Sequence, residues 1–213
     1  MKTTLTGADI LINEFDKALR AIFTKPQGTR PIPKANSKES GVLSDAETKQ
    51  SIELMRVNHT GEVCAQALYQ GQAITARSAN TKEKMQEAAA EEIDHLQWCE
   101  MRLEELGGRP SLLNPVWYVG SLTMGTIAGA LGDKWSLGFL QETEVQVEKH
   151  LGDHLKKLSE KDLSSRAIVA QMQIDEAQHA KMAKESGAAE LPTTVKWLMG
   201  KTANVMKVVA AKI

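Results

Sequence analysis

Glu92-Ile93-Asp94-His95 and Glu176-Ala177-Gln178-His179 repeat one spacing, Glu-x-x-His, in stretches with helical patterning. On a helix, residues three apart lie on neighbouring faces one turn apart, so a carboxylate oxygen and an imidazole nitrogen can converge on one cation. Each pair follows a further glutamate about thirty positions upstream, Glu62 for the first and Glu144 for the second. Four glutamates and two histidines are the ligand set of a carboxylate-bridged two-metal site on four facing helices.

Charge decides whether such a cluster is tolerable. Four carboxylates buried together would repel one another until some took up protons. Two divalent cations balance four glutamates, and two neutral histidines complete a set of net charge zero. The oxygen-rich donor set favours iron or manganese over zinc, and redox chemistry with O2 selects iron.

The elements that carry these residues can be read from their symmetry. In an antiparallel helix pair joined by a short turn, facing residues lie symmetrically about the turn. The midpoint of Glu62 and Glu92 is residue 77, in the break Arg77-Ser78-Ala79-Asn80; that of Glu144 and Glu176 is residue 160, inside Ser159-Glu160-Lys161-Asp162. The spacing therefore predicts four ligand-bearing helices. One opens at the capping box Ser44-Asp45-Ala46-Glu47 and runs to about Arg77, and the next ends near Leu106 before Gly107-Gly108-Arg109-Pro110. The third follows Asp133-Lys134 to about Leu158, and the fourth covers Leu163 to Glu185. Glu142 and Glu148 compete with Glu144, but Leu137, Glu144, Leu151 and Leu158 recur every seven residues and put Glu144 on the apolar seam. Glu62 likewise stands in a row with Met55, Tyr69 and Ala76. The expected fold is all-α, a ferritin-like four-helix bundle.

One such Glu-x-x-His is ordinarily a solvated pair worth roughly a few tenths of a kcal/mol, but two copies on core-facing seams with mirrored glutamates exceed that explanation. His59 reads as a hydrogen-bonded structural residue outside the ligand set, Tyr69 as either a core tyrosine or a residue near the metals, and His150 and His154 have weak claims, His150 lying off the Glu144 seam. Asp175 and Glu91 each stand four residues before a ligand histidine, a spacing that permits a hydrogen bond to it. Cys64 and Cys99 are too few and too far apart for a thiolate site and read as small core residues of a reduced compartment. The formal charge of -1 gives no footprint for nucleic acid, and no Gly-x-Gly-x-x-Gly follows a strand, so the reductant is expected to be external.

Residues 1–43 divide into a modestly amphipathic stretch and a Pro-, Gly- and Ser-rich linker from Lys25 to Gly41; residues 44–213 form the bundle domain. Within it, Leu112 to Leu131 lacks charge, yet Asn114, Pro115 and Gly120, Gly125 and Gly129 make it a poor membrane span. It reads as a helix lying in one leaflet, with Trp117, Tyr118 and Trp135 at its ends; packing on the bundle or in a subunit interface is the alternative. The tail 192–213 carries Lys196, Lys201, Lys207 and Lys212 and no acid, a pattern suited to an anionic lipid surface.

With these residues in view, the chain from Ser44 to Ile213 resembles the demethoxyubiquinone hydroxylases, the di-iron monooxygenases of ubiquinone biosynthesis. The resemblance is carried by Arg56-Val57-Asn58-His59-Thr60-Gly61-Glu62, Glu92-Ile93-Asp94-His95-Leu96, the segment Gln141 to His150, and Asp175-Glu176-Ala177-Gln178-His179. It implies two Fe2+ ions held by Glu62, Glu92, His95, Glu144, Glu176 and His179, with Glu92 and Glu176 as bridges. It also implies O2 as co-substrate and hydroxylation of a polyprenyl methoxy-methyl benzoquinol. The protein is then expected peripherally on the cytoplasmic side of a bacterial cell membrane, alone, as a homo-oligomer or in a quinone-biosynthesis complex. The competing readings are a rubrerythrin- or bacterioferritin-like iron or peroxide handler, and a membrane-bound scaffold of the same pathway.

Overall fold

The computed structural model describes residues 6–35 and 41–213; residues 1–5 of the N-terminal stretch and 36–40 of the expected linker lie outside it. The described residues form seven helices: α1 (Gly7–Phe23), α2 (Asp45–Thr75), α3 (Ala79–Glu105), α4 (Asn114–Ala130), α5 (Asp133–Lys157), α6 (Leu163–Glu185) and α7 (Thr193–Ala210). Helices α2 with α3 and α5 with α6 form two antiparallel hairpins that pack together, α2 on α5 and α3 on α6. This is the expected four-helix bundle.

Local chemistry sets the boundaries. Ser44 and Glu47 cap α2 reciprocally, Ser78 caps α3 by accepting from the Thr81 amide, and Asp162 caps α6 by accepting from Ser165. Asp162 is also held by Arg102 Nη2 at 2.8 Å and by the Ser51 hydroxyl, tying the α5–α6 turn to α2 and α3.

Two apolar clusters fill the bundle. One joins Met55, Trp98, Leu103, Leu151, Ile168 and Met172; the other joins Tyr69, Met85, Leu137, Leu140 and Ala183. On every bundle helix the ligand candidates lie in sequence between the two clusters, so each end of the polar layer is closed by packed side chains.

Helix α4 is the crossover between the hairpins, and it lies mainly along α2. Two of the three glycines that dilute its apolarity, Gly125 and Gly129, serve this contact. A Cβ on Gly125 would stand 2.2 Å from the Leu68 carbonyl oxygen, and one on Gly71 would stand 2.4 Å from that of Leu122. No helix among the described residues is long and apolar enough to cross a membrane. The outer face of α4 leaves Val116, Val119, Ile127 and Leu131 exposed, and α7 leaves Trp197, Leu198, Val205 and Val208 exposed. The Leu112 amide donates to the Ile213 carbonyl, which brings the end of α7 to the start of α4.

The expected linker is partly a strap. Gly28, Thr29 and Arg30 run against α3, the Gly28 amide donating to Gln97 Oε1 and the amides of Thr29 and Arg30 to Asp94 Oδ1. Only glycine fits at 28, where a Cβ would meet Asp94 Oδ1 at 2.4 Å.

Candidate metal centre

Seven-residue recurrence brings Glu62 of α2, Glu92 and His95 of α3, Glu144 of α5, and Glu176 and His179 of α6 into one buried layer. They fall into two overlapping groups. Ligand atoms of Glu62, Glu92, His95 and Glu176 lie within 4.8 Å of one another, as do those of Glu92, Glu144, Glu176 and His179. Glu92 and Glu176 belong to both groups, which gives them the geometry of bridges. All six residues named from spacing thus meet; Glu142 faces outward to Gln146 and Lys196.

In both histidines Nδ1 faces the carboxylates. His95 Nδ1 is 2.9 Å from Glu92 and 3.2 Å from Glu176; His179 Nδ1 is 3.2 Å from Glu176 and 3.5 Å from Glu92. Each Nε2 faces a carboxylate on the opposite helix, His95 Nε2 that of Asp175 and His179 Nε2 that of Glu91, both at 2.9 Å. The pairing is crossed relative to the expectation from sequence. An inward-pointing histidine turns its far nitrogen across the interface, out of reach of the residue four before it on its own helix. A carboxylate at Nε2 fixes the proton there and leaves Nδ1 free for a metal.

The electrostatics fit a pair of cations. Burial raises Glu62 and Glu144 well above the ordinary carboxylate range, reinforced by Glu92 at the first and Glu176 at the second. Burial would raise Glu92 too, but His95 and His179 reverse the direction and hold it low. Burial alone would lower both histidines; the surrounding carboxylates instead raise His95 well above its usual value and His179 to about 12. Protons on these groups do what divalent cations would do. Among the described residues, buried Glu92 Oε1 and Glu144 Oε1 also have no hydrogen-bond partner, a lone-pair capacity that a metal would use.

The remaining candidates lie elsewhere. His59 sits 3.4 Å from Asn114 and 3.7 Å from Glu100, and Tyr69 belongs to the apolar cluster next to the site, its hydroxyl without a partner among the described residues. His150 and His154 stack edge to face, their ring centres 3.8 Å apart, and burial depresses them to about 2 and about 3. Sequence reasoning missed Arg30, whose guanidinium donates to Asp94 at 2.8 Å and Asp175 at 2.9 Å. Nothing local to Pro26–Pro33 signals that contact.

Residues 49–210 match the family described as ubiquinone biosynthesis protein COQ7. The chain belongs to the COQ7 family. It is 58% identical to a 3-demethoxyubiquinol 3-hydroxylase of Laribacter hongkongensis, over 93% of this chain and 96% of that protein. It is 59% identical to the protein of the same name from Chromobacterium violaceum over the same shares, and 56% identical to that of Nitrosospira multiformis over 95% and 97%. Coverage of that extent reaches in front of Ser44, so the resemblance is wider than Ser44 to Ile213 and takes in part of the N-terminal segment. Among solved structures, a bacterioferritin-related dodecameric thioferritin from Bacteroides fragilis aligns with a TM-score of 0.56 at 19% identity, over 65% of this chain and 84% of that one. That likeness concerns the ferritin-like fold alone.

Proposed function

We propose that this COQ7-family chain is a 3-demethoxyubiquinol 3-hydroxylase that uses two iron ions and O2. The observation that carries the reading is the pair of overlapping ligand groups sharing Glu92 and Glu176, set between two apolar clusters. Near-full-length identity to relatives named for that reaction supplies the substrate class, a polyprenyl benzoquinol. Glu62, Glu92 and His95 would hold one iron and Glu144, Glu176 and His179 the other, with Glu92 and Glu176 between them. Bound ferrous iron would supply the electrons and the O2 activation that no side chain here can provide.

The chain's own contribution is positioning and exclusion. Asp175 and Glu91 fix the proton on each histidine Nε2, and the apolar clusters keep bulk water from the layer. A cleft of about 670 Å3 under α1, lined by Tyr69, Met85, Leu96 and Tyr118 and also by Glu14, Lys17, Arg20 and Lys25, has the room to take a quinol ring with part of its tail. One oxygen atom enters a ring C–H bond; the other leaves as water, with two electrons and two protons from an external reductant. Peripheral attachment to the membrane, where such a substrate resides, is supported by the exposed apolar rows of α4 and α7; the cytoplasmic face is the side we assign to it.

The test is a strain in which Glu176→Ala replaces the native chain. Accumulation of the demethoxy quinone with loss of ubiquinone is expected. Normal ubiquinone without accumulated precursor would overturn the assignment.

A further inference from the structure

The outer partners of the two histidines are unequal. Around His95, Asp175 is almost fully buried and is held by three groups, His95 Nε2, Arg30 Nη1 and the Gln171 amide, each at 2.9 Å. Arg30 is itself fixed on several sides. Its Nε donates to Asp94 at 2.8 Å, its amide donates to the same carboxylate at 3.0 Å, and its guanidinium carbon lies 4.8 Å over the Trp98 ring. Its Nη2 also lies 3.2 Å from His95 Nε2. Around His179 the counterpart among the described residues is Glu91 alone, and that side chain is 49% exposed. A planar guanidinium that engages two carboxylates at once fixes direction as well as charge, whereas a half-exposed glutamate is free to leave.

We propose that residues 28–30 latch the His95 half of the centre, Arg30 acting as a positioning residue, so that the metal position served by His95 releases its ion slowly and the one served by His179 quickly. The inference rests on the two-metal reading above and adds an inequivalence that the ligand list does not contain. The latch works through a chain of three contacts: strap backbone to Asp94, Arg30 to Asp94 and Asp175, Asp175 to His95. Losing the partner of a metal-binding histidine typically weakens metal retention by about 10- to 100-fold.

The test uses the full chain loaded anaerobically with Fe(II) and challenged with bipyridine, release being followed by absorbance. Wild type is expected to bind two ions and release them in two phases of equal amplitude. Arg30→Ala should accelerate the slow phase by about 10- to 100-fold toward the fast one, and Arg30→Lys, which keeps the charge but not the fork, should accelerate it less. Glu91→Ala should leave the slow phase unchanged. Amide exchange read on the loaded wild-type protein needs no variant, and Gly28, Thr29 and Arg30 should be protected. One release rate in wild type, an Arg30→Ala slow phase within twofold of wild type, or unprotected strap amides overturns the latch. Binding of fewer than two Fe(II) by wild type would instead overturn the metal reading on which it rests.

Discussion

Loading the centre should displace protons, and their number follows from the site. Glu62, Glu144, His95 and His179 are all pushed toward their protonated forms, the acids by burial and the histidines by the carboxylates around Nδ1. Two divalent cations bound to the same oxygens and nitrogens require these groups deprotonated, so one proton leaves each, about four for two ions. Every released proton strengthens loading tenfold per pH unit, about 1.4 kcal/mol, so four give roughly 5.5 kcal/mol per pH unit wherever all four groups are protonated before loading. Anaerobic calorimetry of Fe(II) binding in two buffers of different ionisation enthalpy reads the count directly. The metal-free protein should behave oppositely. At these four groups the folded chain holds more protons than the unfolded one, so their stabilising contribution is complete at low pH and shrinks as pH rises past the ordinary carboxylate and imidazole values. Release of one proton or none, with loading indifferent to pH, would refute the charge balance on which the site is argued.

Three further outcomes follow from the packing. Arg102→Ala strands Asp162, whose side chain has no exposed surface, and should cost about 3 kcal/mol or more in denaturant unfolding. Against the cost of burial, Asp162 is held below its usual pKa by hydrogen bonds from Ser51 and Ser165 and, least, by Arg102, so the Arg102 share of the wild-type advantage should be present above the ordinary aspartate value and fade as pH falls through the lower folded one. Gly125→Ala drives a methyl into the Leu68 carbonyl and should destabilise by about 1–3 kcal/mol, with exchange protection lost first along α4. Val119→Asp with Ile127→Asp changes only the exposed face of α4 and should leave the melting temperature unchanged while abolishing co-sedimentation with anionic vesicles. Retained vesicle binding would remove α4 from the proposed membrane contact, and a changed oligomeric state would make that face a subunit contact.

The sequence by itself determined the bundle and the composition of its polar layer. Helix periodicity is local, so the seven-residue rows through Glu62 and Glu144, the Glu-x-x-His pairs and the mirrored midpoints at residues 77 and 160 could be read without coordinates. The capping box at Ser44 and the turn at Ser159 were legible for the same reason. Tertiary structure decided whatever depended on the distance between chain segments. It crossed Asp175 to His95 and Glu91 to His179, because a side chain facing the bundle axis meets the opposite helix rather than its own. It turned Gly125 and Gly129 of α4 into a close contact with α2, which composition records only as diluted apolarity. It also carried Arg30 across 64 residues to Asp94 and 145 to Asp175, a contact made when a proline- and glycine-rich strap folds back over α3. Periodicity reports which way a residue faces along its own helix; which residues of a distant segment come to stand opposite is settled by packing.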